Sequence, residues 1–277
     1  MKPRVTAVSA LAVAAGLAAA TGPAPAQTEA EIQRGVERYR EMLREDPWSN
    51  PGLLDADRGE MLWATAAGPN NVTLEDCDLG LGPGVVDGAF AQLPRYFEDA
   101  GRVMDAETRI LWCMETLQGR DMSDFLVRPH PGGGQPVREL GAIATWVAHM
   151  SAGMPYAPAL DSARMQDAVA LGEVLFKMRS GPFDFSCETC HAQPGQRIRL
   201  QELPWLAGDE AAQVVGEWPA YRVSSTHVMT MQHRMFDCYW QMRMPRLELG
   251  SEASVALIAY LTATAEGGEV AAPGLKR

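Results

Sequence analysis

Apolar residues recur at helical spacing in several segments of the chain, and this pattern predicts a mainly α-helical protein. In the first segment, residues 28–45, Thr28 and Glu31 form a capping-box pattern ahead of an amphipathic stretch. Stretches that contain Pro and Gly, at 46–52 and 150–160, predict breaks between helices. The other predicted helices cover residues 140–149, 161–178 and 255–265.

One pattern of residues occurs twice, and the second copy follows the first by about the length of a small domain. Matches in the same order favour duplication over chance, so we predict two tandem domains, residues 27–152 and 153–277. The matched features are Gly59 with Gly172, Gly68 with Gly181, Cys77 with Cys190, and the Arg-x-x-x-Cys runs that start at Arg109 and Arg234 and end at Cys113 and Cys238.

The first residues, 1–26, have the pattern of a cleavable secretory signal peptide. A short basic start precedes an apolar stretch rich in Ala and Val over 5–21, and 24–26 read Ala-Pro-Ala, a small-x-small cleavage site. The apolar stretch is short for a membrane span and no later segment resembles one, so we expect export without a membrane anchor. In a bacterium, export leads to the periplasm, where disulfides persist.

The charge of the chain argues against nucleic acid as a partner. The formal net charge is -11, whereas nucleic-acid binding requires a basic surface. The lysines are confined to Lys2, Lys177 and Lys276, so nearly all positive charge is carried by Arg. Arg binds anions with a fixed bidentate geometry, although codon bias would explain the same preference.

Residues 187–191 read Cys-Glu-Thr-Cys-His, the attachment motif of a c-type haem. Cys187 and Cys190 would form thioethers with the two vinyl groups of one porphyrin, and His191 would bind the iron as the proximal ligand. A redox Cys-x-x-Cys needs no following His, and a zinc site needs a second ligand pair that the scattered His and Cys residues do not offer. The first copy has only Cys77 at the matching place, so we predict one haem, in the second of two cytochrome c-like domains.

The chain has an odd number of cysteines, 5 in total. With the haem cysteines assigned, Cys77 and Cys113 could pair as a disulfide beside the vacant pocket of the first copy. Two buried free cysteines are the alternative. Cys238 then has no partner, and a leftover thiol in an exported protein suggests a functional group.

The second axial ligand of the iron should come from residues 221–245, where several side chains compete. Met244 is followed by Pro245, which is the common arrangement of a methionine ligand. His227 and His233 are also available. The remaining methionines of the segment are Met229, Met231, Met235 and Met242.

Cys238 is the other candidate ligand, and both the odd cysteine count and the repeated Arg-x-x-x-Cys run favour it. A thiolate would hold the iron at a low potential, which suits chemistry at sulfur better than fast electron transfer. We expect an unpaired cluster of arginines around it to lower the pKa of the thiol and to bind a small dianion. These arginines are Arg222, Arg234, Arg243 and Arg246.

The run from Met231 to Arg243, placed after the haem motif, resembles SoxA, the larger cytochrome c subunit of the bacterial SoxAX sulfur-oxidation enzymes. The likeness covers essentially the whole mature chain, and the single Cys-x-x-Cys-His run is similar to the one-haem branch. The resemblance implies a mainly α fold of two tandem cytochrome c-like domains, the first without haem.

The resemblance also implies roles for residues. The haem motif keeps the roles given above, and Cys238 becomes the distal ligand, able to carry an extra sulfur as a persulfide. Arg234 stands beside it as a catalytic residue, and we expect Arg234 and Arg243 to line the pocket for the substrate anion.

The implied activity is that of an L-cysteine S-thiosulfotransferase, which joins thiosulfate oxidatively to a cysteine of the carrier protein SoxYZ. Two electrons would leave through the haem to the small cytochrome SoxX, the partner in a heterodimer. A plain periplasmic electron carrier, with His191 and a Met such as Met244 on the iron, is the main alternative. A scaffolding subunit without haem is disfavoured by the intact motif.

Overall fold

The computed structural model describes residues 28–46, 48–121, 123, 135–198 and 201–276. The predicted signal peptide, residues 1–26, lies outside these ranges. Packing separates a unit that ends at Arg40 from a unit formed by Glu41–Arg277. Both copies of the predicted repeat lie in the second unit, which also contains the candidate site described below.

Helices lie at each position where the sequence pattern predicts one. The predicted helix 140–149 begins earlier, at Gln135, and the predicted helix 255–265 begins at Glu252, because Ser251 caps it by accepting a hydrogen bond from Ser254 N at 3.2 Å. No helix of the described ranges is long and apolar enough to cross a membrane. The helices are α1 (Glu29–Glu45), α2 (Gly52–Trp63), α3 (Ala106–Thr116), α4 (Gln135–His149), α5 (Ala163–Lys177), α6 (Cys187–His191), α7 (Ala211–Gly216), α8 (Met231–Gln241) and α9 (Glu252–Thr264).

The predicted capping box of α1 is present. The amide of Glu31 donates to the Thr28 hydroxyl at 3.3 Å, and the Glu31 carboxylate accepts from the Thr28 amide at 2.8 Å. These two bonds satisfy amides that the first turn leaves without helical partners.

Short strands lie between the helices and form small sheets. Strand β1 pairs antiparallel with β2, and β3 pairs antiparallel with β4. Strand β5 lies between β6, its antiparallel neighbour, and β7, which is parallel to it. The strands are β1 (Arg95–Phe97), β2 (Arg102–Met104), β3 (Arg197–Ile198), β4 (Gln201–Glu202), β5 (Ala220–Arg222), β6 (His227–Met229) and β7 (Gly274–Lys276).

Two helix pairs cross at a glycine in the same way. At Gly59 in α2, a Cβ atom would lie 2.1 Å from the carbonyl oxygen of Ala142 in α4. At Gly172 in α5, the corresponding distance to the carbonyl oxygen of Ala256 in α9 is 2.0 Å. Only glycine allows backbones to approach this closely. A tilted aromatic pair accompanies each crossing, Trp63 with Trp146 and Phe176 with Tyr260.

The crossings define a first half, residues 52–149, and a second half, residues 163–276. Each half also has a two-stranded hairpin that leads into a helix, β1–β2–α3 in the first and β5–β6–α8 in the second. The spacing from hairpin to helix is the same in both, and a capping side chain precedes each helix, Asp105 for α3 and Thr230 for α8. The repeated sequence pattern thus corresponds to repeated structure.

Each half has its own hydrophobic core. The first is built around Ile110, Met114 and Ile143, and the second around Phe176 and Leu257. Both cores lie in one packed unit, so the division at residues 152 and 153 stays a prediction.

The segment between the halves, residues 150–160, contains no helix or strand, as its Pro and Gly content predicts. It is nevertheless held in place along the second half. The amide of Gly153 donates to Val270 O at 2.8 Å, and the amide of Tyr156 donates to Gly268 O at 2.8 Å. Tyr156 is buried in the second core. The break predicted at 150–160 is therefore present, and hydrogen bonds and burial fix its conformation.

Candidate functional site

The second half encloses a cavity of about 510 Å³, within the size range of sites for small cofactors. Its walls are mostly apolar, as a porphyrin requires, and they come from helices on several sides. The apolar side chains that line it include Phe176, Phe185, Leu203, Leu206, Val214, Trp218, Leu257 and Leu261.

The haem attachment motif forms a short helix at the edge of this cavity. Ser186 caps α6 by accepting from Thr189 N at 3.2 Å, and the Thr189 hydroxyl accepts from Ser186 N at 3.0 Å. Both motif cysteines line the cavity and neither forms a disulfide. Burial raises the pKa of Cys187 to about 12 and also raises the pKa of Cys190. Both are therefore neutral thiols at neutral pH in the protein without haem.

His191 lines the same cavity and is oriented for metal binding. Its Nδ1 lies 2.8 Å from the carbonyl oxygen of Pro204. Because a carbonyl oxygen only accepts, Nδ1 carries the proton and the lone pair of Nε2 is available to a metal. Burial lowers the pKa of His191, which favours the neutral ring that binds iron. The residues present thus fit a c-type haem.

The candidates for the second axial ligand separate into two groups. Neither His227 nor His233 lines the cavity: their rings stack at 6.0 Å, and Nδ1 of His227 lies 2.7 Å from Ser225 O. Met229 is buried in another cluster of the same half. The candidates that do line the cavity are Met231, Met235, Met242, Met244 and Cys238.

Cys238 lies on α8 and lines the same cavity as both cysteines of the haem motif. The prediction of a lowered thiol pKa is wrong for the protein without haem. Burial raises the pKa of Cys238, and the opposing effect of the Arg234 guanidinium is smaller. An enclosed apolar cavity penalises a thiolate more than one cation stabilises it.

The arginine cluster is only partly as predicted. Arg234 lines the cavity but is not unpaired, because its Nη1 donates to the Asp237 carboxylate at 2.8 Å. That carboxylate also accepts from Gln241 Nε2 at 2.8 Å. Arg243 is not a cavity residue among those described: its guanidinium lies 5.1 Å from the ring centre of Trp240.

Two further cations line the cavity, and the sequence analysis missed one of them. Arg222 in β5 and Lys276 in β7 are register partners in the parallel pair. Lys276 also forms an ion pair with Glu217. The Nε atom of Arg222 is buried without a hydrogen-bond partner in the described structure. A parallel pairing across more than fifty residues leaves no local pattern, so Lys276 could not be found from spacing.

In the first half, the place of the haem motif is closed by a disulfide. Cys77 and Cys113 are bonded, with their Cα atoms 5.7 Å apart, so the predicted disulfide is present and the alternative of free cysteines is wrong. Arg109, the counterpart of Arg234, is fully engaged. It pairs with Asp99 at 2.8 Å, donates to Asp78 O at 2.6 Å and lies over the ring of Phe97.

Comparisons with known proteins agree with this picture. A family model described as the SoxA/TsdA cytochrome c domain matches residues 58–156. The L-cysteine S-thiosulfotransferase subunit SoxA of Hydrogenophilus thermoluteolus is 44% identical over 100% of both chains. A protein of the same name from Hydrogenobacter thermophilus is 32% identical over 87% of this chain and 88% of its own. The crystal structure of SoxXA from P. pantotrophus superposes with a TM-score of 0.70 and 24% identity, covering 87% of this chain and 84% of that chain, which shows a shared fold.

Proposed function

Because the chain belongs to the SoxA family of L-cysteine S-thiosulfotransferase subunits, we propose that it joins thiosulfate to a cysteine of the carrier protein SoxYZ. The observation that carries this proposal is the shared cavity: Cys238 and Arg234 line the same space as the haem motif. A sulfur nucleophile and a cation thus lie beside the residues that would hold a redox cofactor.

The family implies a c-type haem. In our proposal one haem is held covalently by Cys187 and Cys190, with His191 as proximal ligand and Cys238 as distal ligand. When bound, the haem supplies the acceptor for the electrons that the reaction releases and passes them on to SoxX, the partner subunit. The hydrogen bond from His191 to Pro204 fixes the imidazole for this role.

Cys238 is the covalent relay of the proposed reaction. Its thiolate bonds to the outer sulfur of thiosulfate as two electrons leave, giving a mixed disulfide that ends in a sulfonate. The thiolate of the carrier cysteine then attacks the outer sulfur of the former thiosulfate, which is now bonded to Cys238. This exchange leaves the thiosulfonate on the carrier and returns Cys238 as a thiolate, so only the first step is oxidative.

The cations that line the cavity counter the repulsion between these anions. Thiosulfate and two thiolates would otherwise meet in a mostly apolar enclosure, where like charges repel strongly. Arg234 is the cation that acts on Cys238 itself, and its ion pair with Asp237 holds the guanidinium in place. Arg222 and Lys276 add positive charge on the adjacent strands.

The test replaces Cys238 and a matched cavity residue in the haem-loaded mature chain with its SoxX partner. We expect Cys238→Ala to abolish thiosulfate-dependent modification of SoxYZ, measured by the carrier's mass. Met244→Leu keeps an apolar side chain of similar size in the same cavity and should retain the activity. Full turnover by Cys238→Ala with haem still attached would reject the proposal.

A plain electron carrier remains the second candidate, because Met244 also lines the cavity. Iron held by His191 and Met244 would show a weak absorption band at the red end of the oxidised spectrum and would be reduced by ascorbate. Thiolate ligation gives a lower potential and resists ascorbate. The two spectra therefore separate the two functions in the purified holoprotein.

We further propose that residues 1–26 are removed on export and that the mature chain acts in the periplasm. The disulfide between Cys77 and Cys113 supports this compartment, because such bonds persist where the environment is oxidising. Intact mass of the protein from a haem-competent host would test the cleavage, the disulfide and a single haem together.

A further inference from the structure

The two halves meet at the N-terminal ends of equivalent helices, α3 and α8. Asp105 caps α3 by accepting from Thr108 N at 2.8 Å. Thr230 caps α8 by accepting from His233 N at 3.2 Å. Each cap thus satisfies an amide of its own helix.

The residue two positions after each cap reaches across to the other half. The amide side chain of Gln232 in α8 donates to the Asp105 carboxylate at 2.5 Å and to the Thr108 hydroxyl at 3.0 Å. In return, the carboxyl group of Glu107 in α3 accepts from Gln232 N at 3.2 Å and is hydrogen-bonded to the Thr230 side chain. We call this arrangement of Asp105, Glu107, Thr230 and Gln232 the reciprocal clamp.

The clamp is buried and its polar groups are paired. Gln232 is 0% exposed, and both acidic residues are buried. Burial, with the nearby charge of Asp105 as a second cause, raises the pKa of Glu107 to about 8, so this group keeps its proton at neutral pH. A buried network of paired groups is costly to disturb, because each lost bond leaves a group without water.

Gln232 also fixes the start of the last helix. Its side-chain oxygen accepts from Gly250 N at 2.7 Å, directly before the cap of α9. One side chain therefore joins α8 to α3 and to the entry of α9. Cys238 follows Gln232 by six residues, or about 9 Å along the axis of α8.

We propose that Gln232 and Glu107 are positioning residues, through which the first half fixes α8 so that Cys238 faces the haem pocket. This inference rests on the proposed ligation of the iron by Cys238. It gives the first half a role even though a disulfide closes the place where a haem would lie. The first half anchors the N-terminal end of α8, the helix that carries Cys238.

The geometry explains why such a clamp matters for ligand choice. Several methionines line the same cavity, three of them on or directly after α8: Met231, Met235 and Met242. These methionines share one face of α8 with Cys238, so a shift of α8 along its axis would bring one of their sulfurs to the place of Cys238. The bonds of Gln232 at the N-terminal end of α8 oppose that shift.

The test compares ligand sets by electron paramagnetic resonance of the oxidised, haem-loaded mature chain with SoxX. The wild type should give a single thiolate-ligated low-spin species. In Gln232→Leu, which removes the three hydrogen bonds of this side chain, we expect that species to lose at least about two- to tenfold in population, the range that follows from one lost net hydrogen bond. A low-spin species with a different second ligand should increase by the amount that the thiolate-ligated species loses. Glu107→Gln keeps an acceptor for Gln232 N and should retain the wild-type signal.

A matched control separates positioning from general destabilisation. Ile143→Ala removes buried volume from the first core but leaves every hydrogen bond of the clamp in place, and it should lower thermal stability without changing the signal. If Gln232→Leu gives no soluble holoprotein, Gln232→Asn, which keeps the amide on a shorter side chain, should show the same redistribution. A single unchanged species in the Gln232 variant that folds would overturn the inference. A wild type without a thiolate signal would overturn both this inference and the proposed ligation by Cys238. A thiolate signal that is present in the wild type and unchanged in the variants would overturn only the inference.

Discussion

At the residue scale, the behaviour of Cys238 is decided by burial more than by neighbouring charge. Its pKa is raised because the thiol is largely buried, although Arg234 acts in the opposite direction. Binding to a ferric iron would replace the proton and remove this penalty. The cations of the cavity would then interact mainly with the incoming thiosulfate and less with the resting Cys238 thiol.

Arg234 is the cation whose loss should matter most for the substrate. We predict that Arg234→Ala lowers kcat/KM for thiosulfate by about ten- to a hundredfold, as expected for one lost hydrogen bond to a charged group. Steady-state turnover with SoxYZ measures it. Arg243→Ala is the matched control and should change little, because Arg243 lies over Trp240 outside the cavity. Equal losses in both variants would contradict the assignment.

Glu107 should make the stability of the fold depend on pH. Its pKa is about 8 in the folded chain against an ordinary value of 4.5, so the folded state holds the proton more tightly. The stabilisation is complete below about pH 4.5 and is lost as pH rises through about 8. We predict that Glu107→Gln flattens the fall in the free energy of unfolding between pH 5 and 8, measured with urea. An unchanged slope would argue against a buried, protonated Glu107.

At the element scale, two glycine crossings set the distance between the helices of each half. The close packing of α5 on α9 forms one side of the second half, and the haem motif is the next helix after α5. Gly172 makes this approach possible, as Gly59 does for α2 and α4.

Adding one methyl group at the crossing should therefore be costly. We predict that Gly172→Ala lowers the free energy of unfolding by about 3 kcal/mol, the upper range for overpacking, because its Cβ would lie 2.0 Å from a backbone oxygen. Gly35→Ala in α1 is the control. Nothing lies within 4 Å of a Cβ at Gly35, so this change should be neutral or slightly stabilising. Denaturant unfolding measures the free energy of unfolding of both variants. Equal small changes would contradict the prediction, because they would show that α5 and α9 can move apart at little cost.

The sequence predicted α1, α4, α5 and α9 and the repeat, because these depend on local spacing of apolar and small residues, but it did not predict α2 or α3. The capping pair Thr28 and Glu31 also follows from local spacing, whereas the disulfide of Cys77 and Cys113 was predicted from the cysteine count and the repeat. The short strands could not, since two or three residues carry no reliable periodicity. Nor could Lys276, whose place beside Arg222 depends on pairing with a distant strand.

At the scale of the whole molecule, the two similar halves have different roles within one packed unit. The second half encloses the cavity, while in the first half a disulfide occupies the place of the haem motif. The equivalent arginines show the same division: Arg109 is engaged by Asp99 and by Asp78 O, while Arg234 lines the cavity.

The disulfide should contribute stability without contributing to the haem site. We predict that Cys77→Ser with Cys113→Ser lowers the free energy of unfolding by about 4 kcal/mol, the loop-entropy value for a sequence separation of 36. The absorption spectrum of the haem should stay the same, because the bond lies in the other half. Thermal unfolding measures the stability of the variant, and a visible spectrum of the same sample measures its haem absorption. A changed spectrum would show that the first half affects the haem through this bond.

The central claim is that Cys238 provides the second ligand of the haem iron, and X-ray absorption at the iron edge tests it most directly. We predict a sulfur neighbour of the iron in the wild-type holoprotein that is lost in Cys238→Ala and retained in Met244→Leu. A sulfur neighbour that persists in Cys238→Ala and disappears in Met244→Leu would contradict the account and assign the protein to electron transfer.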